Sequence, residues 1–287
     1  KGYQDIFKKF MVINYTEKKP KDWFSQINSA KIWGKPLLIV INRSFLVSQN
    51  KYEKISVSID LVIHDECHSI TNKTTRKFYN YILNKNKKIS CLGFSATPNL
   101  EVKPYDNIIS SYSIYDAYCD DVILKPKIKW IKSEKKLSNL DILYYCKWEI
   151  RKLYYKKIII WCGMIKYCIE LAELWKEHFK DYLICLDTSK ETDKYSSLDD
   201  FKEREKNAIL FCACKHREGS DIKNLDCCIF LDKVENRNPK TFVQCIGRVL
   251  RKDKNNKKEY GLIIDLKASS CLKICDRINP YLHSNSN

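Results

Sequence analysis

The sequence lacks any long hydrophobic run, and this lack excludes a membrane-spanning helix. No stretch of its 287 residues approaches the roughly 18–20 consecutive apolar residues that such a helix needs. Residues 1–5 carry charges with no apolar run behind them, so we expect no secretory signal. An initiator methionine is also missing, and we therefore expect the chain to be a fragment of a longer protein.

Cysteine is abundant, with 14 residues, but no two of them are spaced as C-x-x-C. That spacing is the usual mark of zinc sites and redox pairs. Six cysteines of the second half lie in or beside apolar runs, where a free thiol behaves as a small hydrophobic group. Cys271 and Cys275, with His283 beyond them, are the one candidate for part of a metal site. The pattern predicts an intracellular protein of a reducing compartment, either cytoplasmic or nuclear.

Acidic residues are few compared with basic ones. The chain has 35 Asp and Glu against 52 Lys and Arg, and its formal net charge is +17. A field of this sign attracts polyanions, of which nucleic acid is the usual partner. Lys, Asn, Ile and Tyr are also abundant, as in proteins of AT-rich genomes, so coding bias is an alternative source of the charge. The composition alone leaves both explanations open.

Short apolar runs alternate with helix-like stretches, which is the pattern of a parallel α/β sheet. Apolar residues at helical spacing predict a helix over 165–179, and 195–206 is a second, more polar candidate. Eight runs are predicted as buried strands: 36–41, 59–64, 89–94, 157–162, 182–186, 208–212, 227–231 and 261–266.

A polar segment separates these runs into two groups. Residues 125–139 are rich in lysine and contain Pro126, which favours a boundary there. We therefore predict two α/β domains, 1–126 and 141–287, joined by a linker over 127–140.

The strongest local signal is a pair of adjacent carboxylates, Asp65 and Glu66, directly after a predicted strand. Parallel α/β sheets place their ligand sites at this carboxyl edge. Because two neighbouring carboxylates repel each other, a bound cation relieves the repulsion. Asp65 is predicted to hold Mg²⁺, while Glu66 acts as the general base on an attacking water. An acidic turn without catalytic function is the alternative for this motif taken alone.

The segment that begins with these carboxylates, D-E-C-H, resembles motif II of the superfamily 2 helicases. About thirty residues later, S-A-T resembles motif III of the same family. The resemblance implies that this second motif couples the state of the nucleotide to domain closure. The coupling residues would be His68, Ser95, Ala96 and Thr97.

Two further motifs of that family follow in the second half. The tetrad E-G-S-D at 218–221 resembles motif V, and Q-C-I-G-R-V-L-R at 244–251 resembles motif VI. The resemblance implies that Gln244 senses the nucleotide. Gly219 and Asp221 would link the nucleotide to the nucleic acid.

Arg248 and Arg251 belong to the last of these motifs, and their spacing of three places both on one side of a predicted helix. From there, two guanidinium groups can reach a γ-phosphate and stabilise the charge that develops in the transition state. The two residues are therefore the predicted catalytic arginine fingers. A solvated basic helix face is the alternative.

Weaker matches to other segments of the family follow the same order along the chain. Asn42, Arg43 and Ser44 resemble a loop that touches the nucleic-acid backbone in the family, and 113–126 and 158–175 resemble the passage between domains and motif IV. The resemblance covers nearly the whole chain. It implies two RecA-like parallel-sheet domains, the first incomplete, that bind and hydrolyse ATP with Mg²⁺.

The phosphate-binding P-loop of the family, G-x-x-x-x-G-K-S/T, does not occur in this sequence. Its single Gly-Lys pair, Gly34 and Lys35, precedes a strand, and Pro36 replaces the hydroxyl residue that would bind Mg²⁺. We expect the loop to lie upstream, and a missing central strand to leave apolar faces of the first domain uncovered. The chain alone should then bind nucleic acid without hydrolysing ATP.

The implied function is that of an ATP-dependent helicase or translocase that moves along nucleic acid. Motifs V and VI are more similar to restriction-enzyme-like and viral helicases than to the DEAD-box RNA group, which favours DNA over RNA. A double-strand DNA translocase of a restriction or remodelling machine and a catalytically dead RecA-like clamp are the alternatives. No membrane partner is expected, and the oligomeric state stays open.

Overall fold

The computed structural model describes residues 10–14, 23–34, 36–55, 57–95, 104–131, 137–188, 194–213, 222–232 and 239–266. The chain divides into two units, Lys1–Ser110 and Ser111–Asn287. This division lies before residue 126, where the sequence predicted the end of the first domain. Among the described residues, every helix is too short or too polar to cross a membrane.

The first unit contains two pairs of parallel strands. Strand β1 (Met11–Asn14) pairs with β2 (Leu37–Val40), and β3 (Leu61–Asp65) pairs with β4 (Ser90–Phe94). Its helices and 3-10 turns are α1 (Trp23–Ile32), α2 (Arg43–Val47), the turn Ser48–Lys54, the turn Cys67–Thr71 and α3 (Lys73–Lys85). The strands β2, β3 and β4 agree with the predicted runs to within two residues at either end.

The core of the first unit lies on one side of β3. Ile70, Phe78 and Ile82 pack there with other buried side chains of the turn and of α3. Leu61 and Ile63 on β3 remain 53% and 58% exposed. Parallel strands are normally covered on both faces, so this bare apolar face is unusual. It agrees with the expectation of uncovered apolar surface in the first domain.

The second unit is built on a six-stranded sheet in which every pairing is parallel, with the order β5-β10-β9-β6-β8-β7. The strands are β5 (Lys125–Trp130), β6 (Lys157–Trp161), β7 (Leu183–Asp187), β8 (Ala208–Cys212), β9 (Cys227–Phe230) and β10 (Tyr260–Asp265). The central strands β6, β8 and β9 are buried throughout, which explains their continuous apolar sequences. The predicted α/β class with parallel sheets is confirmed.

Helices cover both faces of this sheet. They are α4 (Ile114–Cys119), α5 (Asn139–Ile150), α6 (Ile165–His178), α7 (Leu198–Glu203) and α8 (Pro239–Val249). Alternate residues of β6 belong to two different cores: Ile158 and Ile160 pack with α5 and α6, whereas Ile159 and Trp161 pack with α7 and α8. The second unit is therefore a three-layer α/β/α sandwich.

Three of these helices begin at a serine that caps the first turn. Ser113, Ser138 and Ser197 each accept a hydrogen bond from the backbone N–H three residues later, where an aspartate returns the bond. One of these caps, at Ser138, starts α5 within the predicted linker over 127–140. The same segment also contains most of β5, so the described residues at both ends of the predicted linker belong to regular elements.

Candidate functional site

Asp65 and Glu66 lie at the carboxyl end of β3, as predicted. Glu66 adopts the left-handed backbone conformation, with φ 54° and ψ 49°. Few residues other than glycine do so, and the cost is on the order of 1–3 kcal/mol where the surroundings impose it. The Glu66 N–H donates to Oδ1 of Asp65 at 3.0 Å. This bond fixes the turn, and the Glu66 side chain remains 51% exposed.

His68 connects this turn to the end of β4. Its Nδ1 atom lies 3.2 Å from Oε2 of Glu66 and 3.2 Å from Oγ of Ser95. The structure thus brings together Glu66 and two of the predicted coupling residues. Ala96 and Thr97 lie outside the described residues.

His64 is the centre of a buried polar network that the sequence interpretation missed. Its Nδ1 lies 2.9 Å from the hydroxyl of Tyr79 and 3.1 Å from that of Tyr105, and its Nε2 lies 3.1 Å from Oγ of Ser69. Burial, with a further contribution from Arg43, lowers the pKa of His64 to about 4. The ring is therefore neutral near pH 7. A histidine inside an apolar strand was the only signal that could have revealed this network.

Close packing beneath the turn at Asp65 and Glu66 requires a glycine at position 93 on β4. A Cβ atom at this position would lie 2.8 Å from Sγ of Cys67 and 2.8 Å from the ring of Tyr105. Both distances are shorter than side chains tolerate, so any larger residue would displace Cys67. Because Cys67 follows Glu66 directly, the packing at Gly93 holds the carboxylate turn in place.

The predicted nucleic-acid contacts lie at the start of α2 and are exposed. Asn42 caps this helix, since its Oδ1 accepts the N–H of Ser44 at 2.8 Å. The Arg43 guanidinium donates to Oγ1 of Thr75 on α3 at 3.3 Å. These two bonds hold the Asn42 and Arg43 side chains, and the contact of all three residues with nucleic acid stays a prediction.

Gln244 and Arg248 lie on α8 of the second unit. Arg248 is only 7% exposed. Both polar atoms of the Gln244 amide are buried and form no hydrogen bond within the described part of the chain. A buried amide without partners costs roughly 1–3 kcal/mol per group, so a ligand with donors and acceptors would be stabilised here. Gly219 and Asp221, the predicted neighbours of this site, lie outside the described residues.

Arg251 does not share a helix face with Arg248, contrary to the expectation from their spacing. Helix α8 ends at Val249, and Arg251 forms an isolated antiparallel bridge with Ile123. The N–H of Leu124 donates to the carbonyl of Leu250 at 2.8 Å, which draws the chain out of the helix. Arg251 is exposed, whereas Arg248 is buried.

Potential metal ligands do not cluster in the part of the chain that the structure describes. No group of three or more His, Cys, Asp or Glu side chains there could hold an ion by itself. Cys271, Cys275 and His283 lie outside this part. The one predicted metal ligand within it is Asp65, whose oxygens have the chemistry that Mg²⁺ prefers.

Two protein families match the chain, one in each unit. The family described as the res subunit of type III restriction enzymes matches residues 4–100. The helicase conserved C-terminal domain matches residues 136–253. No curated protein matches the chain.

Solved structures share the fold of almost the whole chain. The ATP-dependent type ISP restriction-modification enzyme LlaBIII, bound to DNA, has a TM-score of 0.61 and 14% identity, and the match covers 95% of this chain and 24% of that one. Dbp5 of S. cerevisiae, bound to RNA and ADP BeF3, has a TM-score of 0.59 and 16% identity over 99% of this chain and 71% of that one. Mss116p, bound to ssRNA and AMP-PNP, has a TM-score of 0.60 and 18% identity over 98% and 58%. The chain thus spans about a quarter of LlaBIII, and at these identities the likeness concerns the fold.

Proposed function

We propose, from the premise that this chain belongs to the superfamily 2 helicases, that it is the core of an ATP-driven motor that moves along nucleic acid. The observation that carries this proposal is the position of His68, within 3.2 Å of both Glu66 and Ser95. It connects the carboxylate that would activate water to the segment that would couple hydrolysis to domain movement. A turn without catalytic function has no need of this connection.

The hydrolytic chemistry would be divided between Asp65 and Glu66. Mg²⁺ is commonly bound by one or two carboxylates together with substrate phosphates, and Asp65 would be the carboxylate ligand here. When bound, the ion neutralises charge on the phosphates. Glu66 would take the proton of the attacking water, and His68 would orient its carboxylate.

The second unit would contribute the groups that recognise the nucleotide and its transition state. The Gln244 amide has buried polar atoms without partners in the described residues, and a nucleotide would supply them. The backbone of Arg251 is fixed by its bridge to Ile123, while its side chain is exposed. This arrangement suits a residue that binds a phosphate. Arg248 would act beside it. Gly219 and Asp221 would join the nucleotide site to the nucleic acid.

We propose DNA as the substrate strand, with Asn42, Arg43 and Ser44 among its backbone contacts. The family match to restriction-enzyme res subunits and the fold shared with LlaBIII, which is bound to DNA, favour this choice. The phosphate-binding loop would be supplied by a part of the protein outside this chain, because the sequence contains no such motif. The experiments below therefore use the full-length protein.

DNA should stimulate ATP hydrolysis by the full-length protein, and its binding should weaken steeply with salt. A protein that neutralises 6–10 phosphates loses roughly 10³–10⁵ in affinity between about 50 and 200 mM salt, because bound counterions are released. Steady-state phosphate release and fluorescence anisotropy measure the two effects. Heparin is the matched control: it should bind through charge without stimulating turnover. ATPase activity that is indifferent to every DNA and RNA tested would contradict the motor.

A double-strand DNA translocase that never separates strands is the second candidate, and the res-subunit match favours it. Two substrates distinguish these candidates. One is a fluorescent duplex with a single-stranded tail, and the other is an intact duplex that carries a triplex-forming strand. A helicase separates the duplex, whereas a translocase displaces only the third strand. The catalytically dead clamp predicts no ATP hydrolysis in either assay.

A further inference from the structure

Lys258 is a buried lysine whose ammonium group is fully bonded. It lies in the segment between α8 and β10 and is only 6% exposed. Its Nζ donates to the carbonyls of Leu225 at 2.7 Å, Val249 at 2.9 Å and Arg251 at 3.0 Å. An ammonium has three N–H donors, and three backbone carbonyls satisfy them. Val249 is the last residue of α8, and Arg251 lies two residues beyond the end of this helix.

The surroundings of Lys258 are built to keep a cation there. Burial lowers the pKa of Lys258 to about 8, and the carboxylates of Asp226 and Asp253 oppose this effect. The Asp253 carboxylate also accepts the hydroxyl of Tyr155 at 2.7 Å and the N–H of Lys258 itself at 3.0 Å. Burying a charge is costly unless it is compensated, and this lysine is compensated by three hydrogen bonds and by the field of the two carboxylates.

Residues 249–251, at the end of α8, are held by two further contacts. The carbonyl of Leu250 accepts the N–H of Leu124 at 2.8 Å, so three successive carbonyls, 249 to 251, all have donors. Gly261 on β10 packs against them, because a Cβ there would lie 2.5 Å from the carbonyl oxygen of Val249. The backbone at Arg251 is therefore fixed, although its side chain is exposed.

We propose that Lys258 is a positioning residue that aims Arg251 at the nucleotide. This inference rests on the proposed function, in which Arg251 acts on the phosphate. A positive charge at the carboxyl end of a helix also stabilises the helix, so a purely structural cap is the competing explanation. The two differ in whether the loss of Lys258 matters when Arg251 is absent.

A double-mutant cycle in the full-length protein separates them. Lys258→Met keeps the aliphatic stem and removes the three donors, and Lys252→Met is the matched control, since Lys252 pairs only with the exposed Asp121 at 2.5 Å in the described residues. Each change is made in the wild type and in Arg251→Ala. Phosphate release gives kcat and KM for ATP, anisotropy gives DNA affinity, and circular dichroism gives thermal stability.

Lys258→Met should lower kcat by about 10²-fold, because a misplacement of about 1 Å has effects of this size. KM for ATP and the affinity for DNA should stay near the wild-type values, and Lys252→Met should change none of them. In the Arg251→Ala background Lys258→Met should have no further effect on kcat, since the arginine that Lys258 positions is absent. An equal fold-loss in both backgrounds, or an unchanged kcat, would overturn the proposal.

The outcomes also separate this proposal from the proposed function. If Arg251→Ala hydrolyses ATP normally, the arginine mechanism itself fails. If Arg251→Ala is impaired and Lys258→Met is not, only the positioning role fails. Should Lys258→Met not fold, Gly261→Ala takes its place, because it keeps the ammonium and pushes directly on the Val249 carbonyl. The same non-additive loss of kcat is expected, and an additive loss overturns the proposal.

Discussion

Glu66→Gln in the full-length protein should abolish ATP turnover while ATP binding stays close to that of the wild type. Glutamine has nearly the same shape and can still bond to His68, but it cannot accept the proton of the attacking water. Loss of general-base catalysis typically lowers rates by about 10²–10⁴-fold. Asp65 is unchanged, so the predicted metal ligand and nucleotide binding should persist. Single-turnover phosphate release and equilibrium binding of a fluorescent ATP analogue measure the two properties.

Asp60→Asn is the matched control for this substitution. It exchanges another carboxylate for an amide just before β3, at an exposed position away from the turn. It should leave turnover unchanged. Steady-state ATPase of Glu66→Gln within a few-fold of wild type would remove Glu66 from the mechanism and favour the acidic-turn explanation.

Arg251→Ala should lower kcat by roughly 10³–10⁵-fold, the range that arginine fingers contribute in phosphoryl transfer. Its side chain is exposed, so its removal should leave no cavity and the fold should be preserved. Arg248→Ala should lower turnover similarly. Arg248 is buried, however, so destabilisation contributes to that result and Arg251 is the cleaner test. Pre-steady-state phosphate release and thermal melting measure rate and stability separately.

Arg204→Ala provides the comparison for Arg251→Ala. Arg204 is an exposed arginine at the end of α7 whose Nε donates to the carbonyl of Lys206 at 3.1 Å. Its removal should change neither kcat nor stability appreciably. If Arg251→Ala and Arg248→Ala both hydrolysed ATP at the wild-type rate, the two arginines would belong to an ordinary basic surface.

The strands of the second unit could be predicted because their burial leaves a direct mark on the sequence. A parallel strand covered on both faces is apolar at every position, as Ala208–Cys212 is. Lys125–Trp130 escaped prediction and was assigned largely to the linker, because it is an edge strand. Lysine and proline are typical of edges, where they prevent pairing with other chains. The same polar character also suits a linker.

The candidate site was predictable only in part. The adjacent carboxylates at the end of β3 were readable because the chemistry and the strand are contiguous in sequence. The bonds of His64 to Tyr79 and Tyr105 join distant positions, and no local pattern reveals them. The end of α8 depends on a bond from Leu124, so the spacing of Arg248 and Arg251 alone predicted the wrong helix face.

The pairing of β5 with β10 has a consequence for how the second unit folds. These strands lie near opposite ends of the unit, so β5 leaves the ribosome long before its neighbour in the sheet exists. Contacts of such long sequence separation form late, because the intervening chain must first be closed into a loop. The Leu124–Leu250 bond spans nearly the same interval. The segment that carries Arg251 should therefore reach its final conformation among the last steps of folding, after the central strands have assembled.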